Sequence, residues 1–297
     1  MTTGDTAHDG TWIVGHDDSE PARQALEWAL STAPGRAERI EIVSAWQPPV
    51  FGPYPVDGAA ALPYDDAALA RATAAHVRGV AAEAAERSSV PVSGRAHEGG
   101  AAEVLLEVSA DADLLVVGSR GRGGFRRLLL GSTSSQCASH SVCPTVIVRG
   151  MPATATGRIV VGVDGSPNSM AALEWALGFA APDSSVVIGM VWDDSPFVLG
   201  ADEYYFPDAS HLADERIGAM IDEELAQRTT PSTVAVERVF ERGRPRDVLA
   251  EWGNDADLVV VGARGHGGLS AVLLGSVTTS LIHHLDRPVA VVPHLDG

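Results

Sequence analysis

Two stretches of this chain are nearly the same: DADLLVVGSRGRGGFRRLLLGS at residues 111–132 and DADLVVVGARGHGGLSAVLLGS at residues 255–276. They align without gaps at an offset of 144, with 15 of 22 positions identical. A second pair, VGHDDSEPARQALEWAL at 14–30 and VGVDGSPNSMAALEWAL at 161–177, is offset by 147. The chain is therefore a duplication, and its unit of roughly 145 residues is the size of a domain rather than of a solenoid repeat.

The boundary between the two copies is predicted in a short polar stretch. Residues 149–158 read RGMPATATGR, which is rich in Pro, Thr and Gly, as linkers often are. This placement divides the 297 residues into a first domain at 1–150 and a second at 151–297.

Each copy alternates short β-branched runs with alanine-rich amphipathic stretches. Runs such as residues 114–117 and 289–292 lack polar alternation, so both faces of their sheet should be covered by helices, as in parallel sheets. The predicted fold class is α/β, with two tandem doubly wound five-stranded parallel-sheet domains of Rossmann-like type. The strands predicted for the second copy are residues 159–163, 185–191, 233–240, 258–262 and 288–292.

The first helix of each copy carries a clear start signal. Ser19 and Ser166 are predicted N-caps, and a proline follows each of them. Trp28 and Trp175 hold equivalent positions in these helices and are interpreted as core or domain-contact residues.

The charge composition excludes several kinds of chemistry. There are 39 acidic and 21 basic residues, and every basic residue is arginine. Without lysine there is no Schiff-base enzyme, no pyridoxal phosphate anchor and no Walker A loop. The net charge of −18 argues against nucleic-acid binding.

The same inspection gives an expected location. No run approaches 18 apolar residues, which excludes a transmembrane helix, and residues 1–11 show no secretion signal, so the expected location is the cytoplasm. The two cysteines, Cys137 and Cys143, are expected to be ordinary reduced thiols in or near the core.

The fourth strand of each copy runs into a glycine-rich segment. Gly118 and Gly121 are followed, after nine intervening residues, by Gly131, and the second copy repeats this spacing. Glycines let a backbone approach a ligand closely, and the start of the following helix offers N–H groups to an anion. This pattern predicts a phosphate site that needs no lysine, with Arg120 and Arg264 between the paired glycines. The alternative is a pair of glycine-rich surface turns.

An aspartate follows the first strand of each copy. In a doubly wound sheet the first and fourth strands are neighbours, so Asp17 and Asp164 should open onto the same crevice as the glycine segment. A carboxylate on one side and backbone N–H groups on the other suit a nucleotide. The alternative is a pair of turn residues at helix starts.

These motifs resemble the ATP-binding class of the universal stress protein family, and the resemblance covers nearly the whole chain as two tandem copies. It implies the strand order 3-2-1-4-5 and two ATP molecules per chain, with or without Mg2+. His16, before the aspartate, and Ala45 depart from the residues usual in the family. By position, the implied contacts of the first copy are Asp17, Ala45, Val117, Gly118, Arg120, Gly121, Gly131, Ser132, Thr133 and Ser134, and those of the second are Asp164, Val191, Val261, Gly262, Arg264, Gly265, Gly275, Ser276, Val277 and Thr278.

The function expected from this resemblance is a nucleotide-dependent regulatory or sensing module in the stress response, working as a homodimer. Two alternatives stay open: a slow ATPase or phosphotransferase, and a nucleotide-free interaction scaffold. No catalytic residue and no protein-held metal is assigned, because each copy offers a single aspartate near its glycine segment. Long aromatic-bearing loops at residues 48–66 and 193–210 are candidates for a lid or a partner surface.

Overall fold

A computed structural model of the chain describes residues 10–48, 65–122, 130–151, 155–192, 209–227, 233–265 and 274–294. It divides into two compact units, Met1–Cys137 and Ala138–Gly297. The aromatic residues of both long loops lie outside the described residues. So do Arg126 and Arg127, which together with Arg122 are predicted from the sequence to make the first glycine segment basic.

The first unit alternates strands with helices along the chain. Its sheet is parallel, with strand order β3-β2-β1-β4. The elements are β1 Thr11–Gly15, α1 Glu20–Thr32, β2 Arg39–Trp46, α2 Asp66–Ala85, β3 Val92–Glu98, α3 Ala101–Val108, β4 Leu114–Gly118 and α4 Ser132–His140, the last of which crosses the boundary between the units.

The second unit begins with the fifth strand of the first copy and continues with the whole of the second copy. Its elements are β5 Thr145–Val148, β6 Arg158–Gly162, α5 Pro167–Phe179, β7 Ser185–Trp192, α6 Ala209–Gln227, β8 Ala235–Arg242, α7 Pro245–Gly253, β9 Leu258–Gly262, α8 Ser276–His284 and β10 Val289–Val292.

The strands of the second copy lie in the order β8-β7-β6-β9-β10, all parallel, which is the predicted 3-2-1-4-5 order. β5 adds to this sheet by pairing antiparallel with β10, so that Val289 lies opposite Ile147. β10 therefore has a partner on both sides. As the final strands of the two copies, residues 145–148 and 289–292 are predicted from the sequence to be open edges for pairing between chains, and their pairing with each other contradicts this prediction.

The predicted helix starts are confirmed. The Ser19 hydroxyl accepts a hydrogen bond from the Ala22 N–H at 3.3 Å, and the Ser166 hydroxyl accepts one from the Ser169 N–H at the same distance. Trp28 is buried and stacks on Trp12 with ring centroids 5.9 Å apart, as expected for a core residue. Trp175 is only half-buried and stacks on Phe179.

Helices pack on opposite faces of the central strands, and this creates a crevice. A Cβ on Gly118 would lie 2.5 Å from the Pro21 carbonyl carbon, because α1 covers the end of β4. A Cβ on Gly15 would lie 2.8 Å from the Leu105 side chain, because α3 covers the other face at the end of β1. The carboxyl ends of β1 and β4 are neighbours between these helices, which is where ligands bind in doubly wound sheets.

Candidate functional site

The turn after β1 is built around Asp17. Its Oδ1 accepts a hydrogen bond from the Ser19 N–H at 3.0 Å, and its Oδ2 accepts one from the Arg122 N–H at 2.8 Å. The Ser19 hydroxyl also donates to the Arg120 carbonyl oxygen at 3.3 Å. The aspartate after the first strand and the glycine segment after the fourth are therefore joined directly, as the topology predicted.

The two glycines of the segment allow this approach. Gly118 lies against the α1 backbone, and a Cβ on Gly121 would lie 2.6 Å from Asp17 Oδ2. Real Cβ atoms essentially never come that close to another atom. Any side chain at position 121 would therefore have to displace the aspartate or the segment.

The start of α4 closes the other side of the segment. The Gly131 N–H donates to the Ser119 carbonyl oxygen at 2.8 Å, and the Gly131 carbonyl accepts from the Ser135 N–H at 3.0 Å, as expected of an N-cap. A Cβ on Gly131 would lie 3.3 Å from the Arg120 Cα, so the helix start rests on the backbone of the segment. Backbone N–H groups of the first helical turn thus begin beside the paired glycines, in an arrangement suited to an anion.

These elements enclose an open cleft of about 90 Å³ in the first unit. Of the ten residues predicted for this site, eight line the cleft: Asp17, Ala45, Val117, Gly118, Arg120, Gly121, Thr133 and Ser134. Gly131 and Ser132 do not line it. The Gly131 backbone packs against the backbone of Arg120 in the glycine segment. Ser132 is the exposed first residue of α4.

Ser134 lies in the cleft wall, but its hydroxyl proton is already in use. The side chain is buried, and Oγ donates to the Gly118 carbonyl oxygen at 2.6 Å. This bond fixes the first turn of α4 to the end of β4. A phosphate contact at this position would come from the backbone N–H rather than from the hydroxyl proton.

The apolar wall of the cleft was not predicted. It includes Val43 of β2 and Ala101 and Leu105 of α3. Ala101 and Leu105 are four residues apart and so share a helix face, which the sequence does show. Their place over β1 depends on the path of α3 across the sheet, which the sequence pattern alone does not fix.

A cluster of charged residues around Asp18 was also not predicted. His76 Nε2 lies 2.7 Å from the Asp18 carboxylate, and the Arg122 guanidinium pairs with the same carboxylate. Burial opposes ionisation of Asp18, but the His76 hydrogen bond and the neighbouring His76, His16 and Arg122 charges outweigh it and lower the pKa of this carboxyl.

His16 lines the cleft beside this cluster. It is buried, and Nδ1 has no hydrogen-bond partner, with Asp18 Oδ1 3.6 Å away. Burial lowers the pKa of the imidazole, while the Asp18 and Asp17 charges act in the opposite direction. His16 is therefore neutral at physiological pH.

The second unit repeats the main contacts of the first. Asp164 Oδ1 accepts from the Ser166 N–H at 3.0 Å and from the Ser166 hydroxyl at 2.6 Å. A Cβ on Gly265 would lie 2.4 Å from Asp164 Oδ2, and one on Gly262 would lie 2.6 Å from the Asn168 carbonyl carbon.

The helix start in the second unit matches as well. Gly275 donates its N–H to the Ala263 carbonyl oxygen at 2.9 Å, and the Thr278 hydroxyl donates to the Gly262 carbonyl oxygen at 2.7 Å. Ser276 follows Gly275 in the sequence and predicts a serine-capped helix start, but the N-cap of α8 is Gly275, without a side-chain hydrogen bond. Ser276 is the first helical residue, followed by Val277 in the same turn. No N-cap side chain therefore accepts a hydrogen bond from the first-turn N–H groups of α8, and these groups can donate to an anion.

The remaining predicted residues of the second copy lie at the same strand ends. Val191 is in β7, Val261 and Gly262 end β9, and Arg264 precedes Gly265. Within the described residues, no group of three or more His, Cys, Asp or Glu side chains is arranged to hold a metal ion. None of the helices in those ranges combines the length and hydropathy that a membrane span needs.

Comparison with known proteins agrees with this architecture. The profile of the Universal stress protein family matches residues 11–149 and again residues 156–293. Universal stress protein Rv2623 of Mycobacterium tuberculosis is 31% identical over 294 residues, covering 94% of this chain and 95% of its own. A universal stress protein of Mycolicibacterium smegmatis is 31% identical over 290 residues, covering 94% of this chain and 96% of its own.

A solved structure shows the same fold over nearly the full length. The crystal structure of a universal stress protein from Archaeoglobus fulgidus matches with a TM-score of 0.67, covering 97% of this chain and 99% of its own. At 20% identity, this likeness supports the fold alone.

Proposed function

Because the chain belongs to the universal stress protein family, we propose that it binds ATP in two clefts, one in each copy, and acts as a nucleotide-dependent regulatory module in the stress response. One observation carries the proposal. An aspartate, a close-packed glycine pair and a glycine-started helix meet at the same strand ends in both copies.

Each part of this arrangement has a role toward a nucleotide. The first-turn N–H groups of α4 and α8 and the glycine backbone donate to phosphate oxygens, with Arg120 and Arg264 beside them. Asp17 and Asp164 accept hydrogen bonds from ribose hydroxyls. Ala45 and Val117, with Val191 and Val261 in the second copy, flank the base. Mg2+ bound to the phosphate oxygens would keep several of its water ligands and would neutralise part of the phosphate charge.

Regulation follows from differential affinity. If one arrangement of the protein binds ATP more tightly, occupancy shifts the population toward it by that difference in binding free energy and no more. The site would then report nucleotide supply to a partner protein in the cytoplasm. A homodimer is part of the proposal, and light scattering that gives a monomeric mass would remove that part.

The direct test is to denature freshly purified protein and to identify and count the released nucleotide by chromatography. We expect about two adenine nucleotides per chain, held by the two N–H-lined sites. ATP without ADP would support regulation, whereas ADP accumulating on incubation would favour the slow ATPase. A protein that is empty and also ignores added ATP would favour the scaffold.

Matched glycine variants assign the nucleotide to the clefts. Gly121→Ala and Gly265→Ala each place a Cβ within 2.6 Å of an aspartate oxygen, and each should remove one of the two nucleotides. Gly79→Ala is the control, because a Cβ there meets nothing within 4 Å. Equal loss in all three variants would contradict the assignment.

A further inference from the structure

Asp18 is the centre of a charged cluster in the first copy, and the described residues of the second copy hold no counterpart of it, since Gly165 stands at the position of Asp18. His76 of α2 approaches its carboxylate from one side, and Arg122 of the glycine segment approaches from another. His16 lies 3.6 Å away at the end of β1. The Asp18 side chain is 26% exposed, so the cluster is partly shielded from solvent.

The cluster lies at the rim of the first cleft. Its neighbours His16 and Asp17 line the cleft, and the Arg122 backbone binds Asp17 while the Arg122 side chain binds Asp18. A charge change at Asp18 therefore acts on Arg122, the residue next to Gly121 of the proposed phosphate site.

The second copy has replaced each member that can be compared. Val163 stands in place of His16, and Gly165 stands in place of Asp18. Gly165 has φ +80° and Asp18 has φ +61°, so the first copy places an aspartate in a conformation that favours glycine. Met220 of α6 stands at the position of His76 of α2. The next residue is buried in both helices, Val77 in α2 and Ile221 in α6.

The groups that face Asp18 differ in how they respond to pH. Arg122 and Arg23, whose guanidinium donates to the Asp18 carbonyl oxygen, stay charged. Asp18 stays ionised because its pKa is lowered, and His16 stays neutral because burial lowers its pKa. Asp17 is held by two backbone N–H groups. The remaining group is His76 of α2, whose side chain is 52% exposed and whose Nε2 lies 2.7 Å from the Asp18 carboxylate.

We propose that the first cleft is a proton-linked nucleotide site, in which a proton on His76 strengthens the binding of a polyphosphate nucleotide. The inference rests on the proposed function. Protonated His76 neutralises Asp18, whose negative charge otherwise repels the phosphates at the rim. It also shares the Asp18 carboxylate with Arg122, so a charge on His76 weakens the Arg122 ion pair and leaves its guanidinium available to the ligand. Both effects act in the same direction, so affinity rises as pH falls.

The test uses the full chain carrying Gly265→Ala, which blocks the second site. ATP affinity is measured by calorimetry at about pH 8 and about pH 6, the range in which histidine titrates. Phosphate monoesters also titrate near pH 6, so the comparison is between variants and not between pH values alone. His76→Met, the residue of the second copy, is the matched variant. We expect the gain in affinity on acidification to be about threefold to tenfold larger with His76 than with Met.

Asp18→Gly, the other residue of the second copy, gives an independent check. It removes the repelling charge and the φ strain together, so it should bind ATP more tightly than the parent at about pH 8 and lose the extra response to acid. Adenosine should show no His76-dependent response because it carries no phosphate. The second cleft itself is not the control, because His266 stands where the first copy has Arg122.

The outcomes separate the two proposals. An absence of ATP binding at either pH, in the unmutated chain as well, would remove the proposed function. Binding at one site with the same pH response in the His76 and Met forms would overturn the proton linkage and leave the function standing. An affinity that falls in acid only when His76 is present would also overturn it.

Discussion

Ser134 and Thr278 make the same hydrogen bond in the two copies. Each buried hydroxyl donates to the carbonyl of the glycine that ends the fourth strand, at 2.6 Å from Ser134 and 2.7 Å from Thr278. The bond links the helix start to the strand end, and these are the two elements between which a phosphate would lie. Both side chains are therefore expected to position the site rather than to donate to ligand.

Removing this hydroxyl should weaken the first unit. Ser134→Ala leaves the Gly118 carbonyl without its buried partner, which costs about 1–3 kcal/mol in the free energy of unfolding. Urea denaturation measures the loss, and Ser132→Ala is the control because Ser132 is exposed at the helix start. Equal stability of the two variants would show that the Ser134 bond contributes nothing.

Whether a residue of the proposed site could be predicted from the sequence depends on how far away its contact partners lie along the chain. The glycine spacing and Asp17 were predictable because each copy repeats them after a strand. The pairing of Asp18 with His76 was not, because the residues are 58 positions apart and meet only when α2 packs beside the end of β1. The periodicity of the sequence predicts that His76 lies on a helix. It does not predict which residues that face of the helix contacts.

At the scale of elements, the two copies differ in how the second helix packs on the third strand. In the first copy a Cβ on Gly94 would lie 2.5 Å from the Val77 carbonyl oxygen, so α2 lies directly on β3. The matching position in β8 is Arg238, which pairs with Asp222 of α6. Val236 and Phe240, the neighbours of Arg238 on its face of β8, are 37% and 42% exposed. The strand positions could be predicted from runs of β-branched residues. The closer packing of α2 in the first copy could not, because it depends on one residue, Gly94, which has no side chain.

The close contact between α2 and β3 can be tested with one methyl group. Gly94→Ala forces α2 away from the sheet and should lower the free energy of unfolding by about 1–3 kcal/mol. Gly79→Ala, in the same helix but with open space around it, should raise stability by up to about 1 kcal/mol through helix propensity. Thermal or urea unfolding of both variants measures the contrast, and a neutral Gly94→Ala would mean that the helix shifts at no cost.

At the scale of the whole molecule, the resemblance to the universal stress proteins predicted the strand order of the second copy, and the apolar runs predicted its buried strands, whereas neither predicted the pairing of the final strands. Uninterrupted apolar runs such as β9 predict a strand buried on both faces, and the buried pattern of β9 confirms it. An apolar run at the end of a sheet gives no information on which strand completes it. The antiparallel pairing of β10 with β5 is set by the geometry of the folded chain and not by a local pattern.

The two proposed ATP sites make a quantitative prediction for the intact protein. A ligand that binds only the folded state stabilises it by about 2.7 kcal/mol per site at one hundred times its dissociation constant. The ATP-dependent rise in the free energy of unfolding should therefore come separately from the two copies. Gly121→Ala should remove the part that belongs to the first and Gly265→Ala the part that belongs to the second.

Urea unfolding with and without ATP measures this rise, and the Gly79→Ala protein gives the reference. The double variant should unfold at the same urea concentration whether or not ATP is present. If ATP still stabilised the double variant, the nucleotide would be binding elsewhere on the chain, since both aspartate and glycine contacts are then blocked. If one single variant abolished the whole effect, only one of the two clefts would bind ATP.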